Sequence, residues 1–301
     1  MKKLYLKIHK PKLLIIYKIP YANFNKNFNN ITKKKMIISY KRHYAGLQKV
    51  IQLINEFNYE YEIYPLSYLN FYNNIDKRIV ITVGGDGTLL ITSHYIKNNP
   101  ILGFNSDIIF SQGLLCACNI NNLKSYLLNL KYNKIKKINI IRMSICINGQ
   151  FLPYLPLNDI LLAHRNPASM SEYKLYINNS NEFHRSSGIW ICTPIGATGS
   201  MQSAGGVMQA LNEKRLQLII REPYYCKNKN NIIFIKNKEH IKIITKMSDG
   251  NIFIDGSYIK FNIPYNSIII IKIASNKLQL IASQEMIKKR WNINRNTESG
   301  T

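Results

Sequence analysis

The sequence predicts an α/β N-terminal domain built on a parallel, Rossmann-like sheet, followed by a β-rich C-terminal domain. The first observation is a series of β-branched runs that alternate with helical periodicity up to residue 132. The second is the change, from Lys134 onward, to short alternating segments separated by turn residues. We therefore divide the 301 residues into an α/β domain (residues 1–132), an all-β domain (133–277) and a C-terminal segment (278–301).

Strands and helices alternate through the N-terminal domain. A strand is predicted at residues 13–17, and the Asn- and Lys-rich stretch from Ala22 to Lys35 is predicted to be a loop. Apolar residues at helical spacing predict an amphipathic helix from His43 to Phe57. The remaining elements complete a βαβ series: strands at 61–64, 78–83 and 101–105, a helix after Thr88, and a helix at 123–130.

The C-terminal domain is predicted to consist of strands throughout. Its segments alternate apolar and polar residues and are bounded by turn signals such as Ser248-Asp249-Gly250-Asn251. The predicted strands are 136–148, 157–163, 172–178, 188–193, 216–221, 231–235, 240–246, 251–254, 258–262 and 267–273.

The formal net charge of +25 raises the question of an anionic partner. Because Lys, Asn, Ile and Tyr are over-used along the whole chain, we interpret the charge as a general compositional bias and expect no nucleic-acid partner. No apolar run reaches the ~18 residues that cross a bilayer, so no membrane partner is expected. The five scattered cysteines fit a reducing compartment, and we expect a cytoplasmic protein. The first 50 residues lack Asp and Glu, which leaves organellar import open.

The most informative stretch is Gly84-Gly85-Asp86-Gly87-Thr88, which follows a strand and precedes a helix. Glycines let the backbone approach a ligand closely, and a helix N-terminus favours phosphate. An acid among such donors repels phosphate unless it binds a metal or takes a proton from an attacking hydroxyl. The motif therefore indicates phosphoryl transfer; the alternative is a tight turn in which Asp86 only caps the helix.

A second motif makes the first specific. Thr193 to Gly206 is a loop of small and hydroxylic residues, and Asn158-Asp159 lies between the two motifs. Their order and spacing resemble the NAD kinase family over about residues 12–283. The variants that most resemble the plant NADH-kinase branch are Arg185-Ser186-Ser187-Gly188, Met201 to Gly206, Arg221-Glu222-Pro223 and Ile254-Asp255-Gly256.

This resemblance implies an NAD kinase-like fold whose last segment returns to the first domain. It implies ATP-dependent phosphorylation of the adenosine-ribose 2′-hydroxyl of NADH and/or NAD⁺, giving NADPH or NADP⁺. Asp86 would be the catalytic base, a ligand of Mg²⁺ or a similar divalent ion, or both in sequence. A homo-oligomer, expected to be a dimer, is also implied by the family.

The implied binding residues fall into two groups. Four would line the phosphates: Gly84, Gly85, Gly87 and Thr88. The others would contact the dinucleotide: Asn158, Asp159, Arg185, Ser187, Thr198, Gly199, Ser200, Ser203 and Asp255.

Several positions depart from the usual family pattern, and three of them bear on the dinucleotide. Asp159 replaces Glu, Ser187 replaces Asp, and Ser200 stands where most members have a stacking Tyr. Loss of an acid near the nicotinamide removes a partner for the cationic ring of NAD⁺ but costs neutral NADH nothing. We therefore expect NADH to be preferred over NAD⁺.

Three alternatives remain open at the sequence level. A lipid-type kinase would share the GGDGT motif but not the Asn158-Asp159 pair. A diverged dinucleotide-binding protein without turnover would explain Asp159, Ser187, Ala197 and the short connection at 107–113, although the intact Asp86 argues against it. A basic nucleic-acid binder is the most distant alternative.

Overall fold

The chain folds into two compact units, which we describe from a computed structural model covering residues 12–20, 28–71, 78–178, 180–224, 232–288 and 290. Unit 1 comprises Met1–Ile138 and Leu278–Thr301, and unit 2 comprises Asn139–Lys277. The first division lies a few residues beyond the 132/133 boundary expected from the sequence, because the strand Lys137–Ile140 extends the sheet of unit 1.

Unit 1 is an α/β unit with a seven-stranded sheet. Its strands are β1 (Leu13–Tyr17), β2 (Tyr61–Pro65), β3 (Ile79–Gly84), β4 (Pro100–Asn105), β5 (Cys118–Asn119), β6 (Lys137–Ile140) and, from the end of the chain, β19 (Leu278–Ile281). Its helices are α1 (Asn30–Glu56), α2 (Asp86–Ser93) and α3 (Leu123–Lys131), with a 3₁₀ helix at Leu66–Phe71.

The sheet runs in the order β2-β1-β3-β4-β19-β6, with β5 on β4. The pairs β1–β2, β1–β3, β3–β4 and β4–β19 are parallel. Side chains of β1, β3 and β4 are buried along almost the whole strand, as expected for parallel strands covered on both faces. The α/β class predicted for this part of the chain is confirmed.

Helix α1 begins earlier than the sequence predicts. Asn29 caps it, because its side-chain oxygen accepts the N–H of Thr32 at 2.8 Å. The predicted loop is therefore wrong for residues 30–35, and residues 22–27 of that loop lie outside the described residues. Periodicity detected only the second half of the helix, because the buried face begins at His43 and the earlier turns are solvated.

Unit 2 consists of two six-stranded sheets, whose described strands pair antiparallel. The first sheet has the order β11-β10-β15-β18-β7-β8, and the second β14-β13-β12-β9-β16-β17. The strands are β7 (Met143–Ile147), β8 (Gln150–Phe151), β9 (Asp159–His164), β10 (Ser171–Ile177), β11 (Ser180–Ser186), β12 (Gly188–Cys192), β13 (Arg215–Arg221), β14 (Ile232–Lys236), β15 (His240–Thr245), β16 (Gly250–Ile254), β17 (Ile259–Ile263) and β18 (Ile268–Ile273).

Inward-facing residues of both sheets form one hydrophobic cluster. Strand β10 shows the pattern clearly, because Tyr173, Leu175 and Ile177 are buried while the residues between them face outward. The β-rich class predicted for this region is therefore confirmed.

Two details of unit 2 differ from the predicted strands. Strand β11 was not predicted, because it is a polar, exposed edge strand without apolar alternation that pairs only with β10. The predicted strand 136–148 is two strands, β6 and β7, which belong to different sheets. Among the described residues, no helix is both long enough and apolar enough to cross a membrane.

Candidate active site

The first motif is the connection between β3 and α2. A side chain at position 84 would overlap the hydroxyl of Thr88, and a Cβ at position 85 would lie 2.6 Å from Oγ of Ser111. Gly84 is therefore required by packing within unit 1, whereas a side chain at position 85 would need only the Ser111 hydroxyl to turn away. Gly87 is different: it is exposed, and a Cβ there would meet no atom within 4 Å.

Asp86 is the first residue of α2, but its carboxylate does not cap that helix. Oδ2 accepts the backbone N–H of Leu114 at 2.9 Å, and Oδ1 accepts that of Leu115 at 2.8 Å. The thiol of Cys116 lies 3.8 Å from Oδ1. These bonds tie the start of the helix to the segment between β4 and β5 and fix the direction of the carboxylate.

Sequence reasoning missed the partners of Asp86. Leu114 and Leu115 bind the Asp86 carboxylate through their backbone N–H groups, and a backbone contact cannot be recognised from residue types. Arg290 is 3% exposed, and burial lowers its guanidinium pKa to about 10, whereas the Asp86 charge acts in the opposite direction. Because Arg290 lies about two hundred residues along the chain from Asp86, no motif spacing could have indicated it.

Thr88 is 4% exposed and faces the interior of the turn. Its N–H donates to the carbonyl of Gly85 at 3.0 Å, and its side chain packs on Gly84. In this arrangement Thr88 stabilises the turn from its buried side. Gly87 is the motif residue that faces unoccupied space.

A corner in unit 2 holds the second group of predicted residues. The carboxylate of Asp255 accepts three consecutive backbone N–H groups: Leu157 at 2.9 Å, Asn158 at 2.6 Å and Asp159 at 3.0 Å. In return, the N–H of Asp255 donates to the carbonyl of Asp159 at 2.9 Å. Asp255 has a positive φ of 49°, which aims its side chain back at this corner.

The second motif is fastened to the same corner. The N–H of Thr193 donates to the carbonyl of Asn158 at 3.0 Å, and the Thr193 hydroxyl donates to the carbonyl of Leu157. A side chain at Gly196 would overlap the Asn158 carbonyl. Only glycine lets the 3₁₀ helix Gly196–Thr198 approach so closely, and α4 (Ser200–Ser203) follows it.

These elements enclose a cavity of about 380 Å³. Five predicted residues line it: Asn158, Asp159, Gly199, Ser200 and Asp255. Three apolar side chains, which the sequence did not identify as site residues, form its walls: Leu161, Trp190 and Phe253. Apolar walls with a few convergent polar groups are typical of small-molecule sites.

The carboxyl group of Asp159 is 4% exposed, and its pKa is raised from 3.8 to about 7. Burial is the larger cause, and the nearby charge of Asp255 is the second. A group with this pKa exchanges its proton near neutral pH, and can both donate and accept hydrogen bonds there.

Four predicted residues do not line the cavity. Arg185 pairs with Glu172 on the neighbouring strand at 3.0 Å, and its guanidinium lies 5.4 Å from the Tyr224 ring. The N–H of Ser187 donates to the carbonyl of Arg221 at 3.0 Å. The hydroxyl of Thr198 donates to the carbonyl of Ile195 at 3.3 Å, and Ser203 is exposed at the end of α4.

Comparison with known proteins places these features in a family. The model of the ATP-NAD kinase C-terminal domain matches residues 157–283. A probable NADH kinase of rice is 31% identical over 239 residues, covering 71% of this chain and 74% of the rice protein. The NADH kinase of Arabidopsis is 28% identical over 213 residues, covering 62% of this chain and 67% of the relative. The chain therefore belongs to the NAD kinase family and is an enzyme of that class, and the expected likeness to plant NADH kinases is confirmed.

Solved structures show the same fold. Yeast NADH kinase, determined with NADH, has a TM-score of 0.75 at 15% identity, covering 97% of this chain and 89% of the yeast chain. An NAD kinase from Archaeoglobus fulgidus, determined with ATP, has a TM-score of 0.67 at 19% identity, covering 94% and 98%. The predicted NAD kinase-like fold class is confirmed.

The Asp255 carboxylate is predicted to hold the corner together. Asp255→Ala leaves three N–H groups without their acceptor and should lower the free energy of unfolding of unit 2 by about 2–4 kcal/mol. Denaturant titration measures this. Asp249→Ala, before the other end of β16, removes only an exposed hydrogen bond from Asn262 and an exposed ion pair with Arg165, and should lower it by less than about 1 kcal/mol. Equal effects of the two variants would contradict the anchoring role.

Asp159 should make stability depend on pH. The pKa of Asp159 is about 7 in the folded protein and 3.8 in the unfolded chain. Between pH 3.8 and pH 7 the protein therefore takes up a proton when it folds, and its free energy of unfolding falls as pH rises through this range. Asp159→Asn removes this penalty. Its free energy of unfolding, relative to wild type, should rise by up to about 4 kcal/mol between pH 4 and pH 7.5. Denaturation at both pH values, with Asp249→Asn as control, tests this; a flat difference would refute it.

Proposed function

We propose that the protein transfers the γ-phosphoryl group of ATP to the adenosine-ribose 2′-hydroxyl of NADH and NAD⁺, giving NADPH and NADP⁺. The observation that carries the proposal concerns Asp86, the first residue of α2. Its carboxylate is held in place by two backbone N–H groups, those of Leu114 and Leu115. Family membership supports the same reaction class.

Asp86 is proposed to accept the proton of the attacking hydroxyl. A base contributes most when it is held in one direction, and the bonds from Leu114 and Leu115 hold this carboxylate. Each carboxylate oxygen accepts one of these N–H groups and keeps a further lone pair for the substrate proton. Positioning and charge stabilisation supply most of the catalysis in phosphoryl transfer.

The phosphates of ATP are proposed to lie against the first turn of α2. The cap residue Gly85 makes no side-chain cap bond, so the free N–H groups of this turn are not occupied by a side chain. Gly87 leaves the space before them open. A helix N-terminus of this kind favours anions, and the archaeal relative was solved with ATP.

A divalent ion such as Mg²⁺ fits the donor set at Asp86. Mg²⁺ is commonly held by one or two carboxylates together with substrate phosphates and water. Within the described ranges no three His, Cys, Asp or Glu side chains gather as a metal site, so Asp86 would share the ion with phosphate oxygens. When bound, the ion would neutralise charge that develops on the transferred group.

The dinucleotide is proposed to bind at the cavity in unit 2. Asn158 and Asp159 supply the polar groups, and Trp190 and Phe253 supply flat apolar walls. Asp159 is one methylene shorter than the Glu of most relatives, so a bridging water or a shifted ligand would complete its contacts. The yeast relative was solved with NADH, and we keep the expectation that NADH is preferred. The homodimer and the cytoplasmic location expected from the sequence also remain proposals.

Asp86→Asn should lower turnover by roughly 10²–10⁴, the usual effect of removing a positioned base. A coupled assay with ATP and Mg²⁺ measures this, with NADH and NAD⁺ offered separately. Asp107→Asn is the matched control, because that carboxylate also accepts backbone N–H groups, those of Ile109 and Phe110 at 3.4 Å.

Near-normal turnover of Asp86→Asn would contradict the base role. Dinucleotide binding without turnover by the wild type would favour the non-catalytic alternative, and turnover of a lipid alcohol instead would favour the lipid-type kinase. A higher kcat/KM for NAD⁺ than for NADH would refute the preference.

Gly87→Ala and Gly84→Ala should act in opposite ways on stability. Alanine at 87 has room and should stabilise α2 by about 0.5–1 kcal/mol, yet its methyl group would stand before the phosphate site and raise the KM for ATP about tenfold. Alanine at 84 overlaps Thr88 and should destabilise unit 1. Thermal unfolding and ATP kinetics measure both effects; an unchanged KM in Gly87→Ala would refute phosphate binding there.

A further inference from the structure

Unit 2 contains a second, larger cavity that shares no residue with the one described above. It has a volume of about 880 Å³, within the range of small-molecule sites. Its floor is apolar and includes Ile141, Leu155 and Ile270. Phe151 lines it and is 64% exposed, so part of its surface is uncovered. We call this cavity the lysine cleft.

Four lysines line the lysine cleft: Lys214, Lys238, Lys272 and Lys277. None of them has a carboxylate within ion-pair distance in the described part of the chain. The cleft has one acid, Glu239, whose carboxylate accepts the N–H of Lys236 at 2.6 Å and the side-chain amide of Asn178 at 3.4 Å. Four lysines and one carboxylate therefore line the cleft, which keeps a net positive charge.

The strand register fixes part of this arrangement. Lys272 of β18 pairs with His240 of β15 on one side and with Ser144 of β7 on the other. Residues directly opposite each other on neighbouring strands share a face, so these three polar groups form a row across the sheet. The Lys272 ammonium also lies 5.8 Å from the centroid of the Phe151 ring, which places a cation and an aromatic surface side by side.

We propose that the lysine cleft binds a nucleoside polyphosphate, with its phosphates among the lysines and its base against Phe151. Lysines bind phosphate as point charges, and an uncovered aromatic ring stacks on a base. The volume of about 880 Å³ fits a small molecule. This proposal is independent of the proposed kinase reaction, because it uses none of the residues assigned to that reaction.

Lysine protection tests the proposal at individual residues, and it does not depend on binding elsewhere in the protein. The full chain is treated with an amine-acetylating reagent with and without ATP, and the modified peptides are quantified by mass spectrometry. At ten times the Kd, acetylation of Lys238 and Lys272 should slow about tenfold. Lys174, on the outward face of the same sheet, is the control and should be unaffected. No protection, or equal protection of all three lysines, would overturn the proposal.

Two cleft variants and one control variant identify the groups responsible. Lys272→Glu should abolish the protection of Lys238 by ATP, whereas Lys174→Glu, the same charge change on the same sheet, should preserve it. Both should retain kinase turnover, so loss of the cleft is distinguished from failure of the proposed reaction. Phe151→Ala should weaken protection by ATP but not by inorganic tripolyphosphate. Protection that persists in Lys272→Glu, or that is equal for ATP and tripolyphosphate in the wild type, would refute the nucleotide assignment.

Discussion

Backbone N–H groups in connections and at strand ends need a hydrogen-bond acceptor. In each unit of this protein one aspartate accepts several of them. Asp255 accepts three consecutive N–H groups at the Asn158–Asp159 corner. Asp86 accepts two in the segment after β4. Each aspartate joins two segments that are far apart in sequence. These bonds therefore position the residues of both predicted sites.

The same carboxylates set the electrostatics of their surroundings. Asp255 stands beside the buried Asp159, and its charge adds to burial in raising the pKa of Asp159 to about 7. The buried Arg290 experiences the charge of Asp86 in unit 1. Asp255 therefore does two things: it orders a loop, and its charge adds to burial in favouring the protonated form of Asp159.

Lysines are spread along the whole sequence, but folding gathers several of them at one cavity. The lysines of the lysine cleft come from three separate segments and look like part of an overall bias when the sequence is examined alone. Folding brings these lysines to one cavity, while the carboxylate of Glu239 in that cavity accepts the N–H of Lys236 in a turn. An even excess of one charge along a chain therefore does not exclude a specific anion site.

The sequence by itself determined the fold class, the two motifs and the family. Parallel strands are buried on both faces and antiparallel strands on one, and these patterns are visible in residue types. It also determined Asp86, Asn158, Asp159 and Asp255 as candidates, because motif order and spacing are properties of the chain. It did not determine the length of α1, whose first turns are solvated, or the edge strand β11, which lacks apolar alternation. Only the tertiary structure decided that Leu114 and Leu115 hold Asp86, that Arg185 pairs with Glu172, and that Trp190 and Phe253 form cavity walls. Backbone donors, cross-strand partners and cavity walls depend on which segments meet, and that is set by packing over long sequence separations.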